Sequence, residues 1–436
     1  MALSKNEIEG NFKDLHKPLN PQQALEESDR CLYCYDAPCI QACPTSIDIP
    51  TFIHQIRSDN SKGAALTILA ENIMGGSCAR VCPTEVLCQE ACVLNTSHQQ
   101  AVEIGLLQRH AVDELMEKSS QYPFQRAEST GKTIAIIGAG PAGLSCAHRL
   151  ALLGHDVTIY EAKDKAGGLN EYGLAQYKMT DDYAQREVDF IKKIGGISIK
   201  NNQKLGVSIS LEALKESYDA VFIGIGLTST YSLGLENEQL LGVEDAVDFI
   251  ERIRQSQDKS KLKVGKNVVV IGAGNTAIDA AVQAKKLGAK NVSLVYRRGQ
   301  EHMSATQYEI NLAKSNDIII KTWSAPIKIK GKKKVKAVKF AQTKIKDKTL
   351  QMTNKSYQIK TDHLLKAIGQ KLDNSSLATL KTDKGKITVD ENYQTSSAGV
   401  FAGGDAIQSG EDLTVQAVED GKQAAIAIDK YLNGEG

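Results

Sequence analysis

A chain of 436 residues can form two to four domains, and a formal net charge of +1 with 24% charged residues of mixed sign is not the basic field of a nucleic-acid or membrane-surface specialist. The start MALSKNEIEGNF has no apolar signal core, and no apolar run approaches the ~20 residues that span a bilayer. The expected setting is the cytoplasm, with small molecules and proteins as partners, no nucleic acid and no membrane; nine cysteines there are expected to hold metal or iron-sulfur groups rather than to pair as disulfides.

Residues 1–30 are polar and helical in part, with Pro18 and Pro21 as interruptions, and carry no visible chemistry. The stretch from Cys31 to Cys92 then holds eight of the nine cysteines. The first group, Cys31-x2-Cys34-x4-Cys39-x3-Cys43-Pro44, resembles the ligand run of bacterial ferredoxins. The second supplies Cys78, Cys82, Cys88 and Cys92, with a proline after Cys82. Eight thiols suffice for two 4Fe-4S clusters. Structural zinc, which prefers two-by-two spacing, and buried free cysteines are the alternatives. Apolar residues at helical spacing over Ile49–Asn72 and Val102–Met116 predict a mostly helical domain over residues 1–120. The polar, proline-bearing stretch 121–130 is read as a linker.

Next come two strand–glycine turn–helix–strand units, each the pattern of a dinucleotide-binding Rossmann module. In the first, Gly138, Gly140 and Gly143 follow the strand TIAII, with Pro141 and Ala142 between the last two. The glycines suit a tight turn, close approach to a pyrophosphate and close helix packing. Glu161, at the end of the second strand, is placed for the adenosine ribose. In the second unit Gly272, Gly274 and Ala277 follow NVVVI, with Asn275 and Thr276 opening the helix. This unit ends in Arg297 and Arg298, whose guanidinium groups match a 2′-phosphate, so NADPH is preferred over NADH. Two nucleotide sites imply a flavoprotein in which a pyridine nucleotide reduces a bound flavin, chemistry that belongs to the cofactors and requires no dedicated catalytic acid or base.

From Ile318 to Leu364 an alternating, Lys-rich pattern predicts hairpin strands with solvated lysines, and a helix is expected over Val415–Leu432. The eight histidines form no pair at ligand spacing, and Cys146 is read as a packed small residue.

The order of the cysteine-rich helical region, GAGPAGL, Gly167-Gly168-Leu169, GAGNTAIDAA, VYRR and AGGDA resembles a group that includes the glutamate synthase small subunit and the N-terminal half of dihydropyrimidine dehydrogenase. GGLNEYGLAQYKM, IGLLQRHAVDE and EDLTVQAVEDGKQAA are more similar to the separate flavin subunit of bacterial dihydropyrimidine dehydrogenase. The resemblance implies an α/β fold behind an N-terminal all-α iron-sulfur domain, with two Rossmann-like domains, the second inserted in the first. The implied parts are an FAD domain over 131–241 and 368–436 and an NAD(P)H domain over 242–367. It implies FAD, two 4Fe-4S clusters and NADPH or NADH. The implied partner, in a hetero-oligomer, is a catalytic subunit carrying FMN, further iron-sulfur clusters and the pyrimidine site.

The same resemblance maps one cluster to Cys31, Cys34, Cys39 and Cys92, and the other to Cys43, Cys82, Cys88 and Gln108, leaving Cys78 over. It places Gly168, Leu169, Gly404, Asp405 and the helix start Thr414, Val415 and Gln416 around the flavin. Glutamate synthase tends to carry an acidic residue at the position of Gln108; its small subunit, feeding a large amidotransferase, is the alternative reading. The stretch GLAQYKMT lacks the proline usual in the family.

Overall fold

The computed structural model describes residues 3–119, 121–408 and 412–435, and the chain divides into two compact units. The larger comprises residues 16–171, 181–228 and 371 onward. It opens with short helices at Pro21–Ser28, Ile49–Arg57, Ser61–Glu71, Gly75–Val81 and Ile104–Lys118. Three begin at side chains that cap them. The Asn20 side chain accepts from Gln23 N at 2.9 Å, Asp48 from Thr51 N at 3.1 Å and Asn60 from Gly63 N at 2.9 Å. The helical spacing expected over 49–72 is broken at Ser58–Asn60, because Asp59 takes a left-handed conformation (φ 56°) and Asn60 restarts the helix.

Behind these helices lies a parallel sheet in the order Val400–Ala402, Ala220–Ile223, Thr133–Ile137, Asp156–Tyr160, Ile197–Lys200. Its central strands are almost wholly buried, as parallel strands covered on both faces should be. The helices Pro141–Leu152 and Thr414–Leu432 pack together on it, with Ser145 Oγ donating to Val418 O at 2.7 Å. One apolar core runs from Phe52, Ile68 and Leu107 of the helical region to Ile134, Phe222 and Val418 of the nucleotide fold. Burying each such side chain is worth roughly 1.5–3 kcal/mol.

The stretch 121–130, expected as a linker, is pinned to this unit. The Tyr122 hydroxyl meets His148 Nε2 at 2.8 Å, and Arg126 Nη2 donates to the carbonyls of Gly154 and His155 and to Asp156 Oδ1 at 3.1, 2.9 and 2.6 Å.

The smaller unit comprises the residues up to Leu15, Tyr172–Thr180 and Ser229–Gln370, so its main body is inserted between Thr228 and Lys371. Its parallel sheet runs Val243–Asp245, His363–Ala367, Asn267–Gly272, Asn291–Val295, Ile319–Lys321. The expected hairpins are the antiparallel strands Ser324–Gly331, Val335–Lys346 and Thr349–Lys360. Val335, Val338 and Phe340 are buried there while Lys332, Lys333 and Lys334 are exposed, so these lysines are a solvated face.

Residues read with the helical region join this unit instead. Asn11 Nδ2 donates to Lys286 O at 2.9 Å, Lys286 Nζ donates to Asn11 O at 2.6 Å, and Leu15 N donates to Tyr177 O at 2.8 Å. The proline-free stretch is fixed by Lys178, whose ammonium lies 2.7 Å from Asp279 and 2.6 Å from Glu309. No helix among the described residues is long and apolar enough to cross a membrane.

Candidate functional site

In the larger unit the strand Thr133–Ile137 runs into the first glycine turn, and the helix Pro141–Leu152 starts at Gly140 with no side-chain cap. Its first-turn N–H groups, Ala142 and Gly143 included, point where an anion would bind. A Cβ on Gly143 would stand 2.0 Å from Gly138 O, so only glycine lets the helix approach the strand. Gly168, with φ 55°, brings the second glycine loop against the first: a Cβ on it would lie 2.6 Å from Gly140 Cα. Gly167 N donates to Ala139 O at 2.8 Å and locks the two loops together. Leu169, the next residue, is exposed. Glu161 is buried at the end of its strand. Its Oε2 accepts from Ala139 N at 2.8 Å and its Oε1 from Lys163 N at 2.9 Å. Burial raises its pKa and those two N–H groups oppose the rise, which orients the carboxylate.

The strand Val400–Ala402 delivers Gly404 and Asp405 to the same helix start; a Cβ on Gly404 would be 3.0 Å from Ala142 Cβ. Gly404 N donates to Asp420 Oδ2 at 2.9 Å. Burial and the nearby Asp412 push Asp405 up to about 6. The helix Thr414–Leu432 also begins without a side-chain cap. Val415 is buried, and Gln416 Nε2 donates to Asp420 Oδ1 at 2.9 Å, so this segment offers a ligand its backbone N–H groups. Thr414 Oγ1 donates to Asn170 Oδ1 at 3.3 Å, while Asn170 Nδ2 is buried with no partner. A buried orphan donor beside two uncapped helix starts fits the polar edge of a flavin. Asn170 and Asp420 are absent from the sequence reading because neither belongs to a glycine fingerprint.

In the smaller unit the helix Asn275–Lys286 starts at Gly274, again without a side-chain cap; Thr276 is half-buried in its first turn and Asn275 Oδ1 accepts from Thr306 N at 3.4 Å. Gly272 closes the strand Asn267–Gly272. Arg297 and Arg298 follow the strand Asn291–Val295 with their backbone anchored: Thr343 Oγ1 donates to Arg297 O at 2.7 Å and Trp323 N to Arg298 O at 3.0 Å. Both side chains are exposed, and among the described residues neither has an acidic partner.

The cysteines converge in two groups within the larger unit. Cys31, Cys34, Cys39 and Cys92 line one cavity, walled by Pro38, Ile49, Ile53, Leu94 and Ile104. The loop that carries the first three bends through left-handed conformations at two non-glycine residues, Tyr33 (φ 50°) and Ala37 (φ 34°), strain of the kind found at functional sites. Cys43, Cys82 and Cys88 are mutual neighbours. Hydrogen bonding to Cys78, then burial, raises the Cys82 pKa, and burial with Cys43 pushes Cys88 up to about 12. Burial likewise pushes Cys39 up to about 11. Such thiols ionise only against a bound cation, which is what cluster iron supplies.

Gln108 is buried, with Nε2 donating to Gly75 O at 2.7 Å and Oε1 unbonded among the described residues. Cys78 is buried next to Cys82. Thiols ringing an apolar cavity fit an iron-sulfur cluster.

Two nucleotide cradles in one chain with such cysteine groups define a pyridine-nucleotide oxidoreductase that carries flavin and iron-sulfur groups. Residues 8–120 match the family model for dihydropyrimidine dehydrogenase domain II, 4Fe-4S cluster, and residues 132–421 that for pyridine nucleotide-disulphide oxidoreductases. The NAD-dependent dihydropyrimidine dehydrogenase subunit PreT of Escherichia coli strain K12 is 36% identical over 411 residues, 94% of this chain and 95% of that protein. The subunit of the same name from Salmonella typhimurium is 35% identical, over 97% and 98%. The chain belongs to this PreT family. Among solved structures, Mycobacterium tuberculosis FprA in complex with NADPH shares the fold with a TM-score of 0.58 at 19% identity, over 70% of this chain and 85% of that one. Thioredoxin reductase of T. acidophilum does so at 0.53 and 24%, over 68% and 98%.

Proposed function

We propose that this chain is the electron-input subunit of a dihydropyrimidine dehydrogenase. It oxidises NADH or NADPH and passes the electrons to a partner subunit that carries FMN and the pyrimidine site. That partner reduces uracil or thymine to the 5,6-dihydro form, or runs the reverse. The observation that carries the reading is the cavity lined by Cys31, Cys34, Cys39 and Cys92 in the same compact unit as the first nucleotide cradle. FAD, when bound, supplies hydride acceptance from nicotinamide and release of single electrons to iron-sulfur clusters.

The residues divide the work. Backbone N–H groups after Gly140 bind the diphosphate, Glu161 the ribose, and Asp405 with the helix start at Thr414 orients the rest of the flavin, aided by Asn170. One 4Fe-4S cluster is assigned to Cys31, Cys34, Cys39 and Cys92, a second to Cys43, Cys82, Cys88 and Gln108. The helix start at Gly274 holds the nicotinamide dinucleotide. The relatives are named NAD-dependent, whereas the unpaired Arg297 and Arg298 suit a 2′-phosphate; the ratio of kcat/KM for NADH and NADPH decides between them. The test is anaerobic purification with flavin, iron and sulfide analysis and nucleotide-driven dye reduction. One FAD and eight irons per chain support the reading, and a colourless zinc protein contradicts it.

A further inference from the structure

The C-terminal helix Thr414–Leu432 carries, two residues apart, contacts to the flavin cradle and to a cysteine loop. Asp420 holds Gly404 N, and Lys422, on the opposite side of the next residue, is buried. The Lys422 ammonium lies 2.9 Å from Glu71 Oε2 and 2.8 Å from Glu419 Oε2, and donates to Thr45 O at 3.4 Å. Thr45 is fully buried, and its hydroxyl meets Cys43 Sγ at 3.3 Å. Asn72 Nδ2 donates to the same hydroxyl at 3.5 Å. Lys422 and Glu71 line a small cavity that Arg149 also borders, but Arg149 Nη2 donates to Ala70 O at 2.8 Å. Of the two cations at this cavity, Lys422 is the one whose contact leads, through one residue, to a cysteine sulfur.

We infer that Lys422 is a positioning residue for electron transfer. It ties the flavin-binding helix to the Cys43 loop, and its buried charge, offset by Glu71 and Glu419, sets the reduction potential of the cluster that Cys43 holds. The inference rests on the assignment of Cys43 as a ligand. A positive charge in a low-dielectric surround stabilises the added electron, and a carboxylate opposes it. Hydrogen bonds and charge near cluster sulfurs are established levers on such potentials.

The experiment is an anaerobic redox titration of the holoprotein followed by electron paramagnetic resonance, with iron content measured for each variant. Lys422→Gln should lower the midpoint potential of one cluster and leave the other unmoved. Glu71→Gln, at a half-exposed side chain that tolerates replacement, should raise the same one, and Lys422→Arg should match the wild type. A merely structural lysine gives no such opposite pair of shifts. If Lys422→Gln and Glu71→Gln leave both potentials in place at full iron content, or move them the same way, the inference is overturned. If Lys422→Gln yields protein without iron, the sign of the Glu71→Gln shift decides. Cys43→Ser separates the two levels: loss of one cluster signal upholds the ligand assignment, whereas retention of both removes that premise and the inference with it.

Discussion

The Arg80 guanidinium lies 3.5 Å from the centre of the Tyr183 ring while its Nη2 reaches both oxygens of Asp113, at 2.9 and 2.6 Å. Arg80 stands on the helix between Cys78 and Cys82, and Tyr183 opens a helix that follows the first nucleotide cradle in the same unit. One turn further on, Glu187 accepts from Ser77 N at 2.9 Å and bonds its hydroxyl. A fully buried ion pair broken on one side costs about 3 kcal/mol or more, but Asp113 is partly exposed and keeps Arg109 Nε at 3.3 Å. Arg80→Leu should therefore lower the unfolding free energy by less, about 2 kcal/mol, read by chemical denaturation. Arg80→Lys should recover only part, because an ammonium cannot grip and stack at once.

His148 gives the stability a pH dependence. Burial, with Arg149 adding to it, pushes its imidazole down to about 3, far below the ordinary value of about 6.5. Folding thus favours the neutral ring. Its contribution is complete above about pH 6.5 and is lost as pH falls toward 3, so about 2 kcal/mol should disappear between pH 7 and pH 5. His148→Gln, compared with wild type by denaturation at both values, should flatten that slope.

The nucleotide preference has a direct test. Replacing Arg297 and Arg298 together by alanine removes charge-assisted bonds that only a 2′-phosphate can accept. KM for NADPH should rise at least about tenfold and KM for NADH by less than about twofold, since one such contact is worth about 1.5–3 kcal/mol. Equal effects on both nucleotides would remove the pair from the site.

For the second cluster proposed above, Gln108→Ala should perturb one cluster's spectrum, while Cys78→Ser should leave iron content at the wild-type level. Cys78 is buried beside Cys82, so the reverse outcome would assign the fourth ligand to Cys78.

What local pattern could reveal, it did: the two glycine fingerprints, the strand ends at Glu161 and Arg297, and the alternation of the Lys-rich strands all rest on neighbours in sequence. What it missed rests on distant partners. A polar stretch such as 121–130 reads as a linker until Tyr122 meets His148 and Arg126 reaches Gly154, contacts with no periodicity to announce them. The helix Lys5–Asn11 falls in a stretch that reads only as polar and helical in part, and its docking through Asn11 to Lys286 spans 275 positions. Asp420 and Lys422 look like ordinary polar residues of a surface helix, and only the fold shows both to be buried.

The central claim is that this chain gathers electrons and a partner spends them on the pyrimidine. The most direct measurement mixes the anaerobic holoprotein with NADH or NADPH and uracil, and follows flavin and iron-sulfur absorbance together with dihydrouracil. Both chromophores should bleach with no dihydrouracil formed until the partner subunit is added. Dihydrouracil from this chain alone, or chromophores that stay oxidised with either nucleotide, would contradict it.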